Sequence, residues 1–174
     1  MIDNDYIFEF NLPVDLEYFK TLGLERKDQT VSGILPHQRL VKDDAYMSEI
    51  RSLYNFLSPV YNIYSTRPFN SMPPHIDAKR KCAINIPVQN TENTDTVFYT
   101  GDQMESEYVH ACVYHLIKSP ITETFKFSLS GPTLINNTVP HSVINNTNKE
   151  RIIISWSIDE TYTFEDIKSI LKQS

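Results

Sequence analysis

This sequence predicts a mainly β fold, an antiparallel sandwich or jelly roll with helices laid on one outer face. Two observations carry that expectation. From about residue 60 to 159, short runs of strand-forming residues alternate with polar or Pro/Gly-containing turns, about eight runs in all. The aromatic residues are ten Tyr and nine Phe against one Trp, among many Ile, Val and Thr, which suits pleated, half-buried surfaces. Helical periodicity is confined to the N-terminal third and the last few residues.

In chain order, residues 6–11 read as a first strand, and Leu12-Pro13-Val14-Asp15 as a turn into a short helix over residues 16–22. Residues 23–40 are polar, broken by Gly33 and Pro36, and predict a loop, with His37 a surface histidine. Asp43-Asp44 looks like a helix start. That helix is expected to reach Leu57, with Tyr46, Ile50, Leu53, Tyr54 and Leu57 on one stripe, and to stop at Pro59. Strands follow over 60–66, then, after a linker over 67–72, at the His75-x-Asp77 stretch, and then over 82–88, 94–100, 108–117, 122–129, 132–136, 141–145 and 151–158. A closing helix over 164–172 carries Phe164, Ile167, Ile170 and Leu171 on one side.

The 174 residues are expected to form one domain, 1–174, with its core over about 60–159. A net charge of −6 offers no basic face, so a nucleic-acid or anionic-membrane partner is not expected. The acidic first residues are unlike a signal peptide, and no apolar run approaches the ~18 residues of a membrane span. Cytoplasmic localisation is the expectation, with Cys82 and Cys112 as buried thiols. Asn136-Asn137-Thr138 and Asn145-Asn146-Thr147 then read as turns rather than glycosylation acceptors.

Chemistry centres on Pro73-Pro74-His75-Ile76-Asp77. In a strand, side chains alternate faces, so His75 and Asp77 share one side. An imidazole and a carboxylate supply two members of a 2-His-1-carboxylate triad, which suits non-haem Fe(II) with open positions. Alone, the pair is equally a surface hydrogen bond, and a distant histidine is needed. His141 opens a later strand, whereas His110 and His115, five apart in one expected strand, face opposite ways. Arg151 follows His141 by ten residues and begins a strand with Arg151, Ile153, Ser155 and Ser157 on one face. Ile152, Ile154, Trp156 and Ile158 form the other, which needs a helix against it.

His75-x-Asp77, His141 and Arg151 in this order and spacing resemble the Fe(II)/2-oxoglutarate-dependent dioxygenases. The stretches from Pro73 to Asp77 and from His141 to Trp156 are similar to the aspartyl/asparaginyl β-hydroxylase branch and its prolyl-hydroxylase-like relatives. Some β-hydroxylases of that branch lack the carboxylate that Asp77 supplies here. The resemblance implies a double-stranded β-helix, a cupin-like jelly roll. His75, Asp77 and His141 would be the catalytic metal ligands, and Arg151 would hold the far carboxylate of 2-oxoglutarate. Tyr64, Asn85 and Ser155 are candidates to contact that co-substrate, and Asn62 borders them. Arg80 and Lys81 are the nearest basic residues to the position where the branch carries a further 2-oxoglutarate-binding arginine. The implied activity is hydroxylation, using O2, of an amino acid, a peptide side chain or a small metabolite. Residues 23–40 and 101–108 would be its lids, and Arg67 could meet an acidic group on the substrate. Two alternatives stay open on the residues: a non-catalytic cupin-like binding module, and a cupin metalloenzyme that does not use 2-oxoglutarate.

Overall fold

The computed structural model describes residues 1–26, 37–41, 45–101, 105–109 and 114–173. Two six-stranded sheets face each other, and every strand pair is antiparallel. The first runs β1 (Ile7–Glu9), β10 (Thr133–Asn136), β5 (Cys82–Gln89), β12 (Arg151–Ile158), β3 (Leu57–Thr66), β2 (His37–Val41). The second runs β7 (Ser106–Val109), β8 (Tyr114–Ile117), β4 (Asn70–Asp77), β11 (His141–Asn145), β6 (Asp95–Thr100), β9 (Thr122–Phe127). Strands β3 to β6 alternate between the sheets, as do β10 to β12, which is jelly-roll winding.

Alternation along β12 and β5 decides where the core lies. Ile84, Ile86, Ile152, Ile154 and Trp156 point out of the first sheet, and all are fully buried. They are covered by Phe19 and Leu22 of α1 (Leu16–Arg26), Met47 and Ile50 of α2 (Ala45–Leu53), and Phe164 and Ile167 of α3 (Phe164–Leu171). Each such side chain contributes roughly 1.5–3 kcal/mol on burial. Trp156 also donates its indole N–H to the Ser58 carbonyl at 2.7 Å, so its polar atom is satisfied. Helix α1 approaches β5 so closely that a Cβ at Gly23 would lie 2.9 Å from the Val88 methyls. A capping box starts α3, with Thr163 and Asp166 each accepting the other's backbone N–H.

The opposite face of the first sheet looks into the roll. Part of that interior is apolar, built from Ile7, Phe98, Phe127, Leu129, Ile135 and Ile153. The rest is a polar-lined cavity.

The elements differ from expectation in four places. The helix expected to reach Leu57 ends at Leu53; Leu57 and Pro59 belong to β3. Pro59 lies where the β3–β12 register shifts, a bulge that needs no N–H from it. Consequently Leu53, expected on the buried stripe, is exposed, and Met47 takes the buried place beside Ile50. The single strand expected over 108–117 is a hairpin, β7 paired with β8. The expected loop over 23–40 contributes the end of α1 and edge strand β2, whose backbone pairs with β3. Asp43 and Asp44 lie outside the described residues, as do His110 and Cys112. No described helix is long and apolar enough to cross a membrane.

A candidate metal centre and its cavity

Strands β4 and β11 are neighbours in the second sheet, and their register sets His75 directly opposite His141. The two rings are 4.3 Å apart, centroid to centroid. Each histidine follows a proline, Pro74 or Pro140, which holds the preceding residue extended. In both cases the carbonyl two residues back, Pro73 or Val139, lies 2.9 Å from the ring Nδ1. With Nδ1–H donating there, each ring presents its Nε2 lone pair, the tautomer a metal requires. Asp77 is two residues beyond His75 on the same face, its Oδ1 3.8 Å from His75 Nε2. One ligand atom from each of His75, Asp77 and His141 lies within 4.8 Å of the others, close enough to hold a metal ion.

Burial and the neighbouring His141 push His75 down to about 3, so its imidazole is neutral. Burial lowers His141 as well. Burial works to raise the Asp77 carboxyl, but the Arg80 guanidinium leads the groups that outweigh it, so Asp77 stays ionised below its ordinary value. Two neutral imidazoles and one carboxylate on one side of a buried site are a donor set that fits Fe(II) and leaves coordination positions open.

Arg80, in the turn between β4 and β5, lies against this cluster. Its Nε and Nη2 donate to Asp77 Oδ2 at 3.1 and 2.7 Å, and its Nη1 donates to Ser155 Oγ at 2.9 Å. The guanidinium carbon is 5.6 Å from the centre of the Tyr64 ring.

Arg151, the first residue of β12, lines the same cavity and is 2% exposed. Among the described residues nothing accepts a hydrogen bond from its guanidinium, and its Nε is buried without a partner. Burial alone lowers it to about 10. Tyr64, Asn85 and Ser155 also line the cavity. Asn85 places a partnerless Oδ1 there, while Ser155 is engaged with Arg80. The fold therefore brings His75, Asp77, His141, Arg151, Tyr64, Asn85 and Ser155 into one space. Asn62 is buried opposite Ser155 but lies outside the lining, and Arg67 is exposed. His115 is in register with Ile76, on the face turned away from the cluster, and packs near Tyr108.

Among the lining residues outside the sequence reading are Tyr114 and Asn137. Tyr114 is in register with Asp77, its ring 5.1 Å from His75, and Asn137 places a buried, partnerless Nδ2 at the cavity. Neither carries a local signal, because a hairpin and a turn place them. A Pro-His dipeptide marks both His75 and His141, but it also occurs at Pro36-His37, so by itself it does not single out the pair.

No protein-family model and no curated protein matches the chain. Among solved structures, a prolyl-4-hydroxylase from Pseudomonas putida is 12% identical, with 88% of this chain and 93% of that one covered and a TM-score of 0.50. EvdO2 from Micromonospora carbonacea var. aurantiaca is 12% identical over 83% of each chain, with a TM-score of 0.49. A 2OG-Fe(II) oxygenase family oxidoreductase from Burkholderia pseudomallei is 11% identical, over 88% of this chain and 94% of that one, with a TM-score of 0.44. At these identities the likeness is one of fold, and the jelly roll expected from the sequence is the fold found.

Proposed function

We propose that the chain is an Fe(II)- and 2-oxoglutarate-dependent oxygenase, a hydroxylase acting on an amino acid, a peptide side chain or a small metabolite. One observation carries this beyond a metal-binding cupin: among the described residues Arg151 is a buried cation without an anionic partner, in the cavity that holds the His75, Asp77 and His141 cluster. An uncompensated buried charge costs several kcal/mol, so the site favours an anionic ligand. The planar guanidinium matches a carboxylate through two parallel, charge-assisted bonds. A keto acid with a second carboxylate meets both demands, one end for the metal and the other for Arg151.

His75 and His141 would hold the metal through Nε2 and Asp77 through Oδ1. When bound, Fe(II) and 2-oxoglutarate supply the activation of O2 and the oxidation of a substrate C–H bond, with succinate and CO2 as co-products. The chain's own residues bind, orient and exclude. Both imidazoles are neutral, so they accept a cation without first losing a proton. Arg151 fixes the far end of the keto acid, and Tyr64, Asn85 and Ser155 offer polar contacts along its length. Met72, Ile135, Val143 and Ile153 add apolar surface to a lining that also carries Ser65, Thr66, Thr96, Tyr114 and Asn137.

The test is succinate formation from 2-oxoglutarate with Fe(II), comparing wild type with His75→Ala and Arg151→Ala. Wild type turns over the keto acid, slowly without its substrate. His75→Ala abolishes turnover, and Arg151→Ala lowers kcat/KM for 2-oxoglutarate by about 30-fold or more, as expected for one lost partner of a buried charge pair. Equal turnover in all three proteins, or none in wild type with metal bound, contradicts the proposal. The second outcome favours a cupin chemistry without 2-oxoglutarate.

A further inference from the structure

We infer that Arg80 is a positioning residue for the metal, holding Asp77 so that its carboxylate offers one oxygen, Oδ1, to the cation. The inference rests on reading the His75, Asp77 and His141 cluster as a metal centre. Two guanidinium donors, Nε and Nη2, converge on the same Asp77 oxygen, Oδ2, at 3.1 and 2.7 Å. The third engaged donor, Nη1, is tied to Ser155 Oγ on the opposite sheet at 2.9 Å, and the Tyr64 ring lies 5.6 Å from the guanidinium carbon. Arg80 is thus anchored to both walls of the roll. Asp77 cannot rotate about its Cβ–Cγ bond without breaking two charge-assisted hydrogen bonds.

The geometry assigns the two oxygens different tasks. Oδ1 faces His75 Nε2 at 3.8 Å, while Oδ2 faces Arg80. A cation that takes Oδ1 leaves Oδ2 where it is, so Asp77 occupies one coordination position. Without Arg80, Oδ2 is left buried with no donor, and the carboxylate can swing or close on the metal through both oxygens. Either change alters affinity and coordination together.

Co(II) binding to the metal-free protein tests this, read by calorimetry and by the visible spectrum of the bound ion. Arg80→Gln is expected to weaken Co(II) binding by about 10–100-fold, the usual effect of losing a group that orients a ligand, and to change the Co(II) spectrum. Arg80→Lys restores part of the affinity through a single bond to Oδ2. Ser155→Ala, which leaves both Asp77 bonds intact, costs less than Arg80→Gln. A merely structural role would lower thermal stability while leaving the affinity and spectrum of the folded protein unchanged. Wild-type affinity and spectrum in folded Arg80→Gln overturn the inference. If that variant does not fold, wild-type values in Arg80→Lys overturn it instead. Absence of Co(II) binding by wild type removes the metal centre itself, a different failure.

Discussion

Arg151 is the residue whose state depends most on what the cavity holds. Among the described residues it is a buried cation without an anionic partner, lowered to about 10 by desolvation. Replacing it by Met, similar in length and uncharged, removes a cost of about 1–4 kcal/mol. Arg151→Met is therefore expected to raise the melting temperature of the metal-free protein by several degrees, at about 2–4 °C per kcal/mol, while it lowers kcat/KM for 2-oxoglutarate. A melting temperature equal to or below wild type would show that the charge is already compensated. The histidines give a second test at this scale. His75 sits at about 3 in the folded protein against 6.5 as the reference value. Between those values the unfolded chain binds a proton that the folded chain does not. Stability is thus full above 6.5 and falls as pH drops from there toward 3. The depressed Asp77 acts in the same sense at lower pH. Urea midpoints of the metal-free protein should accordingly be lower at pH 5 than at pH 7.5, and equal midpoints would contradict the assignment. The candidates His75, Asp77, His141 and Arg151 were legible together: alternation put His75 and Asp77 on one face, and the resemblance to a known oxygenase pattern joined His141 and Arg151 to them. Arg80 was visible only as a nearby basic residue, since its role depends on a turn reaching across to Ser155.

At the scale of elements, the turn between β11 and β12 sets the distance from His141 to Arg151. Asn145 anchors it: its fully buried side chain donates to the Thr66, Arg67 and Lys149 carbonyls and accepts from the Thr147 N–H and hydroxyl. The turn reading of Asn145-Asn146-Thr147 holds in that geometry. Removing Asn145 leaves several buried groups unsatisfied at about 1–3 kcal/mol each. Asn145→Ala is expected to cost about 2–4 kcal/mol in urea unfolding. It should also raise KM for 2-oxoglutarate, because Arg151 follows directly in the chain. Loss below 1 kcal/mol with an unchanged KM would mean the strands alone fix the register. Elements with strict period, such as β11 and β12, were read to the residue. The α2–β3 boundary was not, because Leu57 satisfies a helical stripe and a strand face equally, and Pro59 breaks a helix while a bulge accommodates it. The division of 108–117 between β7 and β8 was hidden for a related reason: strand-forming residues stand in both β7 and β8.

For the whole molecule, the helices and the outer face of the first sheet form a continuous apolar core, while the cavity lies on the sheet's other face. That separation lets the interior carry an unsatisfied charge without loss of the fold. It also makes ligands stabilisers of the entire roll. A divalent metal at 100 times its Kd should add about 2.7 kcal/mol of stability. 2-Oxoglutarate should add more only when metal is present, and a chelator should reverse both. A keto-acid effect without metal would separate the two sites and contradict their assignment to one cavity.

The most direct test of that assignment is an anaerobic calorimetric titration of 2-oxoglutarate into the Fe(II)-loaded protein, wild type against Arg151→Met. The account expects saturable binding by wild type and affinity lower by about 30-fold or more in the variant. Equal affinity in the two proteins, or no binding by metal-loaded wild type, would contradict it.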